Sequence, residues 1–103
     1  MNNAARIAAL NDAFRANPSL GTFVLTAGIL TDMPQDVAAI LNKVRTFKDF
    51  NESDDPYGEH DFGAFDFKGK KIFWKIDYYD RNFEFASPDA ANPAVTNRVL
   101  TVM

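Results

Sequence analysis

The stretch from residue 64 to residue 79, AFDFKGKKIFWKIDYY, decides the fold class of this chain. Apolar and polar residues alternate from Lys71 to Tyr79, which predicts a β-strand because successive side chains of a strand point to opposite faces. The segment Ala64–Phe67 also alternates, and Lys68-Gly69-Lys70 between the two segments has the residue types of a tight turn. The stretch therefore predicts a β-hairpin.

The second strand of this hairpin has two chemically different faces. One face carries Ile72, Trp74, Ile76 and Tyr78. The other face carries Phe73, Lys75, Asp77 and Tyr79. We expect the first, more apolar set to face the helices and to form part of the core.

Two further strands are predicted after the hairpin. Asp80-Arg81-Asn82 has the composition of a turn, and Phe83–Phe85 after it is predicted to return as a third antiparallel strand. The alternation resumes from Arg98 to Met103, which predicts that the chain ends on a strand. Between Asn51 and Gly63 neither helical nor strand periodicity is present, so this segment is predicted to be a long surface loop.

The first half of the chain predicts two helices around one strand. Ile7, Leu10 and Phe14 are spaced as in the apolar stripe of an amphipathic helix over residues 4 to 16. The near-continuous apolar run from Thr22 to Ile29 predicts a strand in a central position of the sheet. A second helix is predicted to start near Asp32, with Pro34 in its first turn. Its predicted buried face consists of Val37, Ile40, Leu41, Val44 and Phe47.

This order of elements predicts an α+β fold with two layers, in which two helices pack on one face of a mostly antiparallel sheet of four to five strands. The chain has 103 residues, of which 47% are apolar, so we expect a single domain over residues 1–103 with one hydrophobic core.

Composition excludes several classes of function. The sequence contains no cysteine, which excludes disulfides, thiolate catalysis and cysteine-based metal sites. No apolar run is long enough for a membrane span, and the first residues lack the apolar core of a secretory signal, so we expect a cytoplasmic protein that does not contact a membrane. The net charge of −3 disfavours direct binding to nucleic acid.

The acidic residues are concentrated in one part of the chain. No Lys or Arg occurs between residues 49 and 67. The carboxylates there are Asp49, Glu52, Asp54, Asp55, Glu59, Asp61 and Asp66. Either the segment is a solvated acidic loop, or it binds a protein partner with a basic surface, or it binds a divalent cation. The spacing of these carboxylates does not match that of an EF-hand calcium-binding loop, so we expect no metal and no cofactor.

For partner binding, we expect the charged contacts to come from Asp54, Asp55, Glu59 and Asp61. Tyr57 and Phe62 are the predicted aromatic anchors, because large aromatic side chains supply much of the binding energy of protein interfaces. Charges of this kind mainly accelerate the encounter of the two proteins.

The single histidine, His60, lies between Glu59 and Asp61 and is a candidate for acid–base chemistry with Asp61 or Asp77. Neighbouring residues of an extended chain point in different directions, so a structural role for His60 is the competing interpretation. The sequence contains no GxSxG, no HExxH and no phosphate-binding glycine loop, which favours a noncatalytic protein over an enzyme.

A third interpretation is a binder of single-stranded nucleic acid. Tyr79 and Phe73 would stack on bases and Lys70 would contact phosphate. Packing within the protein competes with this interpretation for the aromatic residues of the second hairpin strand.

Several blocks of the chain resemble a bacterial family of small proteins known only as a domain of unknown function, common on proteobacterial plasmids and other mobile elements. The blocks are LNDAFR (10–15), YGEHDFG (57–63), FWKIDYYD (73–80), SPD (87–89) and TNRVLTVM (96–103). The resemblance covers about residues 5 to 103 and implies an accessory protein of mobile DNA, without any catalytic residues to transfer.

Together with the charge pattern, this resemblance leads us to expect a noncatalytic module that modulates or inhibits a host nucleic-acid-handling or defence complex, such as a restriction or CRISPR system. The alternatives are a small metal- or His60-dependent hydrolase or nuclease, and the nucleic-acid binder.

Overall fold

The predicted hairpin is present in the computed structural model, which describes residues 2–103. The helices are α1 (Asn3–Ala16), α2 (Ala27–Asp32) and α3 (Val37–Arg45). The strands are β1 (Thr22–Leu25), β2 (Phe62–Phe67), β3 (Lys70–Tyr79) and β4 (Asn97–Val102). Lys68 and Gly69 both have positive φ, 50° and 81°, which is the geometry that a two-residue hairpin turn requires. The protein is therefore an α+β protein.

The four strands form one mixed sheet in the order β1-β4-β3-β2. β3 pairs antiparallel with both β2 and β4, whereas β1 pairs parallel with β4. The expected antiparallel arrangement thus holds for two of the three strand pairings.

The prediction for residues 22–29 was wrong in length and position. β1 ends at Leu25 and lies at the edge of the sheet, and residues from Ala27 onward form α2. The pairing of β1 with β4 reaches Leu25 opposite Val102, and the amide of Thr26 donates to the carbonyl of Val102 where the chain turns into α2. Ile29 and Met33 then lie four residues apart on one side of the chain, and both are 5% exposed.

The second predicted helix begins later than its sequence suggested. Pro34–Asp36 forms a short 3₁₀ turn, and α3 starts at Val37. Its predicted buried face is confirmed, since Ile40 and Val44 are fully buried. Val37, Leu41 and Phe47 are partly buried and pack against the same core.

The core joins side chains from all three helices to one face of the hairpin and of β4. Trp74 at its centre is fully buried, and its neighbours Ile72 and Ile76 on β3 are 2% and 4% exposed. The other core members are Phe14, Ile29, Met33, Ile40, Val44, Leu100 and Val102. The predicted inward face of β3 is confirmed, and Phe73 on the opposite face is 38% exposed.

Phe83–Phe85 does not form the predicted third strand. A single bridge joins Tyr79 to Ala86, and the chain before it forms a turn in which Asp80 Oδ1 accepts the amides of Asn82 and Glu84. These side-chain hydrogen bonds compete with strand pairing, and Phe83 has a φ of 57°, outside the strand region. Phe83 and Phe85 are consequently 55% and 71% exposed.

Across the described residues, no helix is both long enough and apolar enough to cross a membrane.

Candidate functional site: an acidic interaction loop

Residues 49–61, which we name the acidic loop, connect α3 to β2 and are shaped by a buried carboxylate. The Asp55 side chain is 3% exposed. Its Oδ1 accepts the backbone amides of Glu59 at 3.0 Å and His60 at 3.1 Å. The amide of Asp55 in turn donates to the carbonyl of Asn51 at 2.8 Å. These bonds fix the backbone of the loop locally, because a carboxylate that accepts two amides holds both in place.

The predicted partner-binding residues of the loop differ in their exposure. Asp54 and Tyr57 are exposed, and Tyr57 is the most exposed large hydrophobic residue of the described chain at 79%. Asp55 is buried and supports the loop from inside. Glu59 and Asp61 are half-buried. The loop thus presents an exposed aromatic ring and exposed carboxylates on a backbone that is held by hydrogen bonds.

Crowding of carboxylates affects the protonation of the half-buried pair. Burial, together with the nearby charges of Asp61 and Asp55, raises the pKa of Glu59. Burial also raises the pKa of Asp61, and the charges of Asp55 and Asp77 act in the same direction. Both carboxylates would consequently gain from a cationic group brought to them from outside.

Phe62 and Asp77 lie on the outer face of the sheet. Phe62 pairs with Lys75 at the start of β2, and its ring centroid is 6.0 Å from that of Phe73. Asp77 accepts the ammonium group of Lys75 at 2.9 Å. Phe62 is therefore part of a separate aromatic pair on the sheet, and Asp77 has a partner of its own.

His60 attaches the loop to α1. Its Nδ1 is 2.9 Å from Asp12 Oδ1, and its Nε2 is 3.9 Å from Asp55 Oδ2. The imidazole stacks on Phe50 with a centroid distance of 3.9 Å and an angle of 3° between the rings. Asp12 also binds Arg15 at 2.9 Å, so one carboxylate joins the histidine to a buried guanidinium.

The surroundings of His60 favour a structural role over acid–base chemistry. Its two ring nitrogens face carboxylates, and one ring face is covered by Phe50. A cleft of about 410 Å³ lies next to His60, and Thr46 is one of the residues that line it. The hydroxyl of Thr46 donates a hydrogen bond to the carbonyl of Asn42. Among residues 2–103, no group of three or more His, Asp or Glu side chains is placed to hold a metal ion.

A buried asparagine provides a second attachment of the loop. Asn11 on α1 is fully buried, and its Nδ2 donates to the carbonyl of Glu59 at 3.0 Å and to the hydroxyl of Tyr78 at 2.8 Å. Its Oδ1 accepts Nε of Arg98 at 2.8 Å. Sequence reasoning missed this residue, although its place four residues after Ile7 and three before Phe14 puts it on the buried face of α1.

The lysines near the hairpin have acidic partners. Ion pairs join Lys68 to Asp36 at 2.8 Å, Lys70 to Asp32 at 4.0 Å, Lys71 to Asp66 at 3.4 Å and Lys75 to Asp77 at 2.9 Å. Tyr79 is half-buried, with its ring centroid 6.1 Å from that of Phe83. Neighbouring carboxylates thus partly compensate the positive charge of these lysines.

Comparison with known proteins places the chain in a family. The family model described as a protein of unknown function, DUF3768, matches residues 25–103, which include α2, α3, the acidic loop, the hairpin and β4. No curated protein and no solved structure matches the chain. Because the matched segment covers most of the sequence, the chain belongs to the DUF3768 family.

Proposed function

We propose that this protein is a noncatalytic module that binds a protein partner with a basic surface through its acidic loop. The observation that carries the proposal is the position of Tyr57, which is 79% exposed on a loop fixed by the buried carboxylate of Asp55. A large aromatic ring normally avoids water, and a loop backbone that is already held in place lowers the entropy that is lost on binding. Tyr57 is thus a suitable anchor for an interface.

The charge of the loop supports a basic partner. Glu52 and Asp54 beside Tyr57 are exposed, and no Lys or Arg of the sequence lies between residues 49 and 67 to compensate them. Burial raises the pKa values of Glu59 and Asp61, and the charges of neighbouring carboxylates add to this effect. Lys or Arg side chains of a partner would supply the missing positive charge and increase the rate of association.

The proposal has a finer part, which rests on the resemblance of the YGEHDFG and WKIDYYD blocks to proteins of plasmids and mobile elements. According to this finer proposal, the partner is a component of a bacterial nucleic-acid-handling or defence complex in the cytoplasm, and binding of the loop inhibits or modulates that complex. A basic groove that normally holds nucleic acid has the charge that the acidic loop complements.

The charge dependence of capture tests this function. Tagged wild-type protein is expected to capture a partner from a nuclease-treated bacterial lysate at low salt, and the variant Glu52→Gln/Asp54→Asn is expected to capture several-fold less, because it lacks two exposed carboxylates of the loop. The amount captured, measured by mass spectrometry, should also fall as salt is added, since salt screens exposed charges beyond about 10 Å at 0.1 M.

The matched control removes two exposed carboxylates elsewhere. Asp66→Asn/Glu84→Gln changes the net charge equally and should capture the same partner as the wild type. Equal capture by the wild type and the loop variant at low salt would contradict the proposal.

A further inference from the structure

A small apolar pocket lies between α1, the turn that follows it, and β4. Its volume is about 260 Å³, and it is lined by Leu10, Ala13, Phe14, Leu20, Pro93 and Arg98. Five of these residues are apolar and one is cationic, so the lining combines a hydrophobic wall with a single positive charge. None of them belongs to the acidic loop.

Arg98 is a buried cation without a counter-charge. It is 5% exposed, and its Nε and Nη2 donate to Asn11 Oδ1 and to the carbonyl of Ala90. Neither partner is charged, and Arg98 forms no ion pair with any carboxylate of residues 2–103. No hydrogen bond from its Nη1 is present within the same residues, and Arg98 is one of the residues that line the pocket.

The other buried arginine shows the usual arrangement. Arg15 is 4% exposed and forms an ion pair with Asp12 at 2.9 Å. Buried charges are normally paired in this way because transfer of a charge out of water is costly. At Arg98 burial lowers the pKa of the guanidinium, and the neutral partners do not supply the missing negative charge.

We propose that the pocket binds a small apolar monocarboxylate, whose carboxylate pairs with the guanidinium of Arg98 and whose apolar body contacts Leu10, Phe14 and Leu20. A carboxylate matches the geometry of a guanidinium and supplies its missing charge. The single cation and the apolar lining disfavour phosphate, which prefers several donors. A volume below the ~300 Å³ of common ligand pockets restricts the ligand to a short chain or one ring.

The test is a titration of the full chain with octanoate, followed by two-dimensional NMR. Shifts should localise to α1, the turn at Leu20 and Arg98, and 1-octanol should bind at least tenfold more weakly because it has the same chain without the charge. Acetate, which has the charge without the chain, should also bind at least tenfold more weakly. Octanol binding as tightly as octanoate, or shifts elsewhere on the protein, would overturn the proposal.

Two variants localise the site. Ala13 is exposed on α1, so Ala13→Trp should fold, fill the pocket and weaken octanoate binding at least tenfold. Arg45→Met removes an exposed arginine outside this pocket and should leave binding unchanged. Unchanged binding in Ala13→Trp would contradict the proposal. Because the acidic loop is intact in these variants, the result does not depend on the proposed protein-binding function.

Discussion

Gly63→Ala should lower the free energy of unfolding by about 3 kcal/mol, at the upper end of the cost of overpacking a core. A Cβ at Gly63 would lie 2.6 Å from Cε2 of the Trp74 indole and closer still to Nε1. Trp74 is fully buried and surrounded by the core, and Gly63 is paired with it across β2 and β3, so neither side can move away without breaking the sheet or the core. Urea unfolding followed by the fluorescence of Trp74, the single tryptophan, measures the loss.

The matched control is Gly28→Ala. Gly28 lies in α2, and a Cβ built there meets nothing within 4 Å, so the same substitution should be neutral or stabilise the protein by roughly 0.5–1 kcal/mol. If both variants were equally stable, the close contact between Gly63 and Trp74 would have no energetic consequence, and our account of the hairpin packing would be wrong.

Asn11→Leu should cost about 3–4 kcal/mol, although leucine is close to asparagine in size. The substitution leaves Nε of the buried Arg98 without its acceptor and the carbonyl of Glu59 without its donor. Buried polar groups that lose a partner keep the full cost of their desolvation, and the cost is largest for a charged group. Urea unfolding of the variant and the wild type gives the difference.

Two comparisons isolate this network. Tyr78→Phe removes one hydroxyl contact of Asn11 and should cost about 1 kcal/mol, since Asn11 keeps its bonds to Glu59 and Arg98. Adding Arg98→Met to Asn11→Leu should cost less than the sum of the two single substitutions, because the unpaired charge is then absent. If the losses of unfolding free energy in the two single variants simply added up in the double variant, Asn11 and Arg98 would not be coupled.

Local patterns were sufficient to predict the hairpin and the faces of the helices. Trp74 and its neighbours on β3 alternate with polar residues, and Ile40 and Val44 repeat at helical spacing, so each pattern depends on residues close in the chain. Residues 22–29 were harder, because β1 pairs with β4, a strand far away in sequence, and no local pattern shows how far that pairing extends. The turn at Phe83 was missed because Asp80 accepts two amides there.

The candidate site was only partly predictable for a similar reason. The exposure of Asp54 and Tyr57 follows from the polar, Pro- and Gly-containing composition of the loop. The burial of Asp55 and the contact of His60 with Asp12 depend on the packing of the loop against α1, 48 residues away from His60 in the chain. Asn11 and Arg98 are 87 residues apart, and no local pattern indicates that they meet.

The central claim is that the acidic loop presents Tyr57 as the anchor of a protein interface. The most direct test measures the affinity of the captured partner for Tyr57→Ala and for Phe85→Ala, which removes an aromatic ring of similar exposure, 71%, on another turn. We predict that Tyr57→Ala binds at least tenfold more weakly, as expected when an interface loses its anchor, and that Phe85→Ala binds like the wild type. Wild-type affinity in Tyr57→Ala would contradict the claim.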